Sequence, residues 1–333
     1  MRICVPRVAF AARLFVAICA FGFSIVSARA ETFPSRPITI VVPYPPGGGL
    51  DMTARVMAPH LSQILGQPVI VENSGGAAGS IGVGKVARSN PDGYTLSIGI
   101  TSTHVFNGAM YKLPYDLLND FEPISLLSST PQLIVARKSF PADDLKSFIA
   151  WLKANPDKAM QATAGVGSAG HIAGVFFQKE TGTSFRFIPY RGLGPAMQAM
   201  LADQVDIMID VPASSLPQLR AGKIKAFAVA GDKRLSAAPD VPTVDEAGLP
   251  GFYAPSWYGL WAPKGTPKDV IAKLNAAVVT TLANADVQAR FKDVGYDIYP
   301  RDQQTPEALH AFQKAEIDKW WPIIKAANIA PKE

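Results

Sequence analysis

The sequence predicts an α/β fold with two lobes, a central ligand cleft and two hinge crossings. Three observations point there. Short β-branched strands alternate with helices, a pattern of parallel sheets covered on both faces. The alternation stops near Phe121 and restarts. Several strands exit into loops rich in Gly, Ser or Thr that lead straight into a helix.

The first 30 residues stand apart. Arg2, Arg7 and Arg13 precede an apolar run, Leu14–Val26, with no acidic residue before Glu31. The run is too short to cross a hydrocarbon core of about 30 Å. It ends at Ala28-Arg29-Ala30, a small-x-small cleavage pattern, so residues 1–30 read as a cleaved export signal. Both cysteines, Cys4 and Cys19, lie within it. The remaining chain forms no internal disulfide, and an exported protein of this size does not need one. A bacterial periplasm is the expected compartment.

The whole chain has net charge +5. Arg2, Arg7, Arg13 and Arg29 leave with the signal, so the remainder is close to neutral. No Lys/Arg cluster or basic–aromatic alternation remains, which excludes a nucleic-acid partner. No later stretch is long and apolar enough to span a membrane as a helix.

Along the remaining chain, Ile38–Tyr44 reads as a buried strand. Pro45–Gly49 ends it, and Asp51 is expected to cap a helix through about Leu65, stopped at Gly66. Val69–Val71 is a strand, Asn73–Ser80 a glycine-rich loop, and a short helix runs to about Arg88. Tyr94–Ile100 is a third strand, ending in a loop at Thr101-Ser102-Thr103-His104. After the restart come a strand at Leu133–Ala136, a helix at Leu145–Ala154 and a strand from Met160. The loop Gly165–His171 opens a helix to about Glu180. Phe185–Pro189, Val205–Ile209 and Lys225–Ala230 are strands, separated by helices ending near Ala202 and Ala221. Residues 231–256 are turn-rich. Trp257–Ala262 is strand-like, Pro267 begins a helix to about Leu282, and 306–326 is a long helix. The expected lobes are 31–127 with 254–333, and 128–253.

Helix N-termini at strand exits present free N–H groups and the positive end of a dipole, and glycine lets an anion approach them. Four segments have this character: Pro46–Leu50, Gly75–Ser80, Thr101–His104 and Gly167–His171; Arg191-Gly192 is a fifth. Asp51 and Asp210 sit where each can serve the backbone or a ligand. His104 and His171 can donate to a carboxylate or brace their loops. Trp257, Tyr258 and Trp261 fit a cleft wall or the hinge.

No catalytic or cofactor signature fits. Gly47-Gly48-Gly49 lacks the Lys-Ser/Thr of a phosphate loop, and Gly75–Gly82 matches a dinucleotide fingerprint imperfectly. Two loop histidines without a thiolate or a close carboxylate make no zinc site. No Gly-x-Ser-x-Gly elbow surrounds Ser168. No enzyme, cofactor or metal is expected.

At these loops the chain resembles the tripartite tricarboxylate transporter receptors, also called Bordetella uptake gene proteins. The matching stretches include Tyr44–Asp51, Val71-Glu72-Asn73, Asn90–Tyr94, Ser102-Thr103-His104 and Ser168–His171. They continue through Pro189–Gly192, Gln204-Val205-Asp206, Ala221-Gly222-Lys223, Asp240–Gly248 and Trp257–Pro263, with Gly265-Thr266-Pro267. The resemblance implies a two-lobed periplasmic binding protein that captures a small organic acid and delivers it to a membrane transporter. Di- or tricarboxylates, aromatic acids, nicotinate-like acids and amino acids are the ligand classes left open. A receptor that presents its bound state to a membrane signalling protein is the alternative. A monomer is expected.

By the same resemblance the first-lobe contacts map to Tyr44, the Pro46–Leu50 loop with Gly47, Gly48 and Gly49, then Ala77, Ala78, Thr101, Ser102, Thr103 and His104; Asp51 joins them as a candidate from its place after that loop. Those of the second lobe map to Ser168, Ala169, Arg191 and Asp210; His171 joins them as a loop candidate. The chain departs from the family at Val211, where Asn is frequent, and at Asn107-Gly108, where many members have Asn-Pro.

Overall fold

The computed structural model describes residues 32–326; the predicted export signal lies outside them. Its ten strands follow the order β2-β1-β3-β9-β4-β7-β5-β6, with β8 and β10 also paired to β4.

In the first half, β1 (Ile38–Val42) lies between β2 (Val69–Asn73) and β3 (Thr95–Ile100), all parallel. Helix α1 (Gly49–Leu65) follows β1, and α2 (Ser80–Ala87) follows β2. After β3 the chain does not enter the expected loop. It turns directly into a π-type helical turn, Ser102–Phe106, and then α3 (Asn107–Met110). The Thr103 hydroxyl holds this start, taking the Ile100 N–H and facing the Ile100 carbonyl, each at 3.1 Å.

The connection to the second half is a single long strand, β4 (Phe121–Arg137). The sequence pointed only to its last few residues, because Pro123, Pro131 and the Ser128-Ser129-Thr130 run obscure the pattern. Its first part pairs antiparallel with β9 (Pro255–Pro263), through two register shifts. Its last part pairs with β7 (Ile207–Asp210) and β8 (Ile224–Ala230). The crossing falls where Pro131 faces Pro255. Neither proline has an N–H to give, so the ladder is weakest at this point.

The second half continues with α4 (Leu145–Ala154), β5 (Met160–Thr163), α5 (Ala169–Thr181), β6 (Arg186–Pro189) and α6 (Leu193–Leu201). Helix α7 (Pro212–Arg220) follows β7. β5 runs parallel to β6 and β7, but β4 and β8 run against β7 and β4 respectively, so the sheets are mixed and not wholly parallel as expected. Apolar clusters cover both faces of this half: Phe148, Phe177 and Phe227 on one, Met197, Met200 and Leu216 on the other. Burial on both faces explains the near-continuous apolar strands.

After β9 come α8 (Lys268–Leu282), α9 (Ala285–Asp293), β10 (Asp297–Ile298) and α10 (Pro306–Ala326). Helix α10 returns to the first half. The Gln313 amide donates to the carbonyls of His104 (2.9 Å) and Leu117 (3.0 Å), and its oxygen accepts from Trp261 Nε1 (3.1 Å). Trp261 stacks on the His104 ring at 3.8 Å between centroids. Beneath that ring lies Gly99, where a methyl group would overlap His104 and come within 2.8 Å of Trp261 Cζ3. Gly99→Ala is expected to destabilise the protein by about 2 kcal/mol through overpacking, measured as a lower midpoint in chemical denaturation.

Candidate functional site

A cavity of about 60 Å³ lies between the two halves of the sheet. Tyr44, Gly48, Gly49, Asp51 and Ser102 line it from the first half; Ser168, Ala169 and Asp210 line it from the second. These eight sequence-predicted residues are brought together.

Four helices start at this cavity. Gly48 and Gly49 open α1, Ser168 and Ala169 open α5, Leu193 opens α6, and Asp210 and Val211 immediately precede α7. No Lys, Arg or His side chain is in the lining among the described residues. The positive ends that face the site are therefore backbone N–H groups and helix dipoles. Ser168 is the N-cap of α5, its hydroxyl accepting the His171 N–H at 3.4 Å.

Asp51 does not cap α1 as expected; Gly48 holds that position and Asp51 lies within the first turn. Its carboxylate reaches back to the Gly47 N–H (3.1 Å) and also accepts from Arg55 Nε (2.9 and 3.0 Å) and Asn73 Nδ2 (3.0 Å). Asn73 donates in addition to the Tyr44 carbonyl (3.0 Å). Burial alone would raise the Asp51 carboxyl, but Arg55, Asn73 and the Gly47 amide hold it below the usual carboxylate range. Gly47 is thus part of the brace and lies outside the lining.

Asp210 has a different setting. It is 1% exposed, and its oxygens accept from the Val211 N–H (2.8 Å) and the Ser215 hydroxyl (2.7 Å). Burial outweighs these bonds and pushes the carboxyl up to about 6.

The other sequence candidates lie outside the lining. His104 is fully buried against Trp261, and burial pushes it down to about 3, so it is neutral and faces the core. The Thr101 hydroxyl accepts the Trp257 N–H at 3.1 Å, while Thr103 holds the turn after β3. His171 accepts the Gly167 N–H at Nδ1 (3.2 Å) and is pushed down by burial to about 4. It braces its loop as a neutral ring. Ala77 and Ala78 both have positive φ, at 45° and 52°. The Ala78 carbonyl accepts from Tyr44 Oη (3.2 Å) and Asn107 Nδ2 (3.0 Å), so this turn steers Tyr44, whose hydroxyl also lies 3.1 Å from Ser102 Oγ. Arg191 is exposed ahead of α6.

Most of the apolar wall carries no motif in the sequence. Leu50, Ile100, Leu193, Ile209 and Val211 supply it, with Pro45, Gln132, Ala164, Gly170 and Tyr258 completing the lining. Leu50 and Gly170 fall inside the glycine-rich segments, and Tyr258 was flagged as cleft or hinge. Ile100 and Ile209 end buried strands, and nothing in their local pattern separates a cavity wall from a core.

The halves also touch outside the cavity lining, where Ile172 and Phe176 of α5 pack into the first half's apolar cluster and Arg220 donates to the Asp293 carbonyl at 3.0 Å. Tyr111 Oη donates to the Val166 carbonyl at 2.7 Å. A methyl on Gly167 would come within 2.9 Å of Met110 Sδ, and one on Gly192 within 3.0 Å of the Pro45 ring.

The family model for the tripartite tricarboxylate transporter family receptor matches residues 53–329. BugT of Bordetella pertussis is 36% identical over 298 residues, covering 89% of this chain and 90% of that protein. MatC of Rhodopseudomonas palustris, solved with bound malate, is 40% identical at a TM-score of 0.84, covering 88% of this chain and 100% of that one. A second R. palustris protein, solved with adipate, is 33% identical at a TM-score of 0.85, covering 90% and 100%.

Tyr111→Phe keeps the ring and removes the one hydroxyl bond to Val166. At about 1 kcal/mol for such a bond, it is expected to speed release of bound solute roughly fivefold, read by stopped-flow displacement, with little change in thermal stability.

Proposed function

The chain belongs to the tripartite tricarboxylate transporter receptor family, and from that premise we propose that its cavity captures a small aliphatic dicarboxylate. It is a periplasmic solute-binding receptor and not an enzyme; its partner is the membrane permease of that transporter class.

The observation that carries the ligand class is the convergence of four helix N-termini on a cavity with no cationic side chain. Backbone N–H groups and the hydroxyls of Ser102 and Ser168 suit carboxylate oxygens, which need several donors each. The wall of Leu50, Ile100, Leu193, Ile209 and Val211 suits a short methylene chain between two carboxylates. Relatives of this fold solved with malate and with adipate support that reading. A buried arginine would bind an anion too, but its desolvation costs several kcal/mol and an empty site would leave it unpaired.

Capture proceeds by closure. We place the lobe division at Pro131 on the outward crossing and Pro255 on the return. The lobe with β1–β3, β9 and β10 closes against the lobe with β5–β8. Closure joins the starts of α1, α5, α6 and α7 around the guest and excludes water, which strengthens each hydrogen bond. The receptor acts as a monomer in this scheme.

Isothermal titration with malate, adipate and monocarboxylates of matching length tests the reading. One diacid per protein is expected, recovered unchanged by mass spectrometry, with monocarboxylates at least about tenfold weaker. Preference for neutral or cationic solutes, or chemical conversion of the diacid, would overturn it. Ser168→Ala is expected to weaken the diacid about fivefold, the worth of one hydroxyl bond.

A further inference from the structure

The charges around the cavity do not balance once a diacid is inside. Each helix N-terminus is worth about half a positive charge, so four supply about two. A diacid with both carboxylates ionised uses these up. Asp51 makes no further demand, because Arg55 pairs with it. Asp210 does: it lines the same cavity, is 1% exposed, and has the Val211 amide and the Ser215 and Ser214 hydroxyls as donors, with no cation beside it.

We propose that a proton is the second ligand of this site: Asp210 takes one up as the diacid binds, so the receptor carries its cargo as a dianion plus a proton. This rests on the dicarboxylate reading above and specifies how that site accepts the charge.

The groups around Asp210 leave it as the acceptor. On α7, Ser214 and Ser215 are neutral donors. From β9, Tyr258 faces the cavity and shares a 2.7 Å hydroxyl contact with Tyr296; burial raises both phenols, so both stay protonated. On β4 the nearby group is the neutral Gln132, and α6 presents Leu193. On α5, His171 is neutral, with Nδ1 occupied by the Gly167 amide. Across the cavity, Asp51 is held ionised. Burial already pushes the Asp210 carboxyl up to about 6. A nearby negative guest raises it further, since like charges favour the neutral form.

The sign follows from linkage. Where the complex binds more protons than the free protein, affinity falls as pH rises. The proton balance is simple: the solvent loses one proton, the Asp210 carboxylate becomes a carboxylic acid, and the diacid stays ionised. The neutral acid also gains an O–H donor, which a carboxylate oxygen of the guest can accept.

Titration of the intact receptor with malate and with adipate, near pH 7 in buffers of different ionisation enthalpy, reads the uptake directly. More than about half a proton taken up per diacid is expected, with ¹³C NMR showing the Asp210 carboxyl protonated in the complex. Asp210→Asn is expected to abolish the buffer dependence. Binding with no buffer dependence overturns this inference and leaves the dicarboxylate reading intact; absence of diacid binding in wild type overturns that reading instead. Proton uptake that persists in Asp210→Asn, or an ionised Asp210 carboxyl in the wild-type complex, overturns the assignment even if the variant folds poorly.

Discussion

Negative charge held by backbone N–H groups, with no cationic side chain among the described residues of the wall, is the constraint on which the rest of this structure depends. A helix start helps only if an anion can reach it, so the chain must deliver several such starts to one place. The strand–turn–helix unit does this, because every parallel strand carries its following helix to the same edge of the sheet. At α1 the demand is tightest: a side chain at Gly49 would overlap the Tyr296 hydroxyl and come within 2.7 Å of that of Tyr258. The same absence of a Cβ leaves the first amides of α1 open to the cavity.

The constraint also decides how two acidic residues share one cavity. Asp51 and Asp210 are both buried there, yet their carboxyls shift in opposite directions. Asp51 has a guanidinium, a side-chain amide and a backbone amide; its charge is spent inside the first lobe, fixing Gly47 and Asn73. Asp210 has only neutral donors, and its charge is left for the cavity to accommodate. Burial acts on both, and the difference between them is the arginine four residues after Asp51.

Much of this was legible in the sequence. Strand exits at Tyr44–Asp51 and Gly167–His171 carried their glycines, hydroxyls and following helices in plain order, and both reach the cavity. The second-half strands were readable because burial on two faces makes them apolar throughout. What stayed hidden depends on tertiary partners. The Thr101–His104 exit has loop-like composition but folds as a helical turn, because Trp261 and Gln313 hold His104 in the core from strands and helices over 150 residues further along. Strand β4 was masked by the prolines and serines that make it a crossing. The apolar wall, from Leu50 to Val211, is indistinguishable from core until the two halves face each other.

The two halves also meet outside the cavity, and that seam sets what opening must overcome. One hydroxyl bond, Tyr111 to Val166, is worth about 1 kcal/mol net. Ile172 and Phe176 of α5 pack into the apolar cluster of the first half, with Phe176 5.8 Å from Trp320 between ring centroids. Arg220 of α7 donates to the Asp293 carbonyl at 3.0 Å. Opening gives up these contacts, so the seam favours the closed arrangement and holds a captured solute in place. Pro131 and Pro255 leave the ladder without donors between the halves, and a motion there breaks the fewest bonds. A ligand shifts an equilibrium between open and closed only by its difference in affinity for the two states. In the closure proposed above, that difference comes from the helix starts of the second lobe, which reach the guest only when the lobes come together.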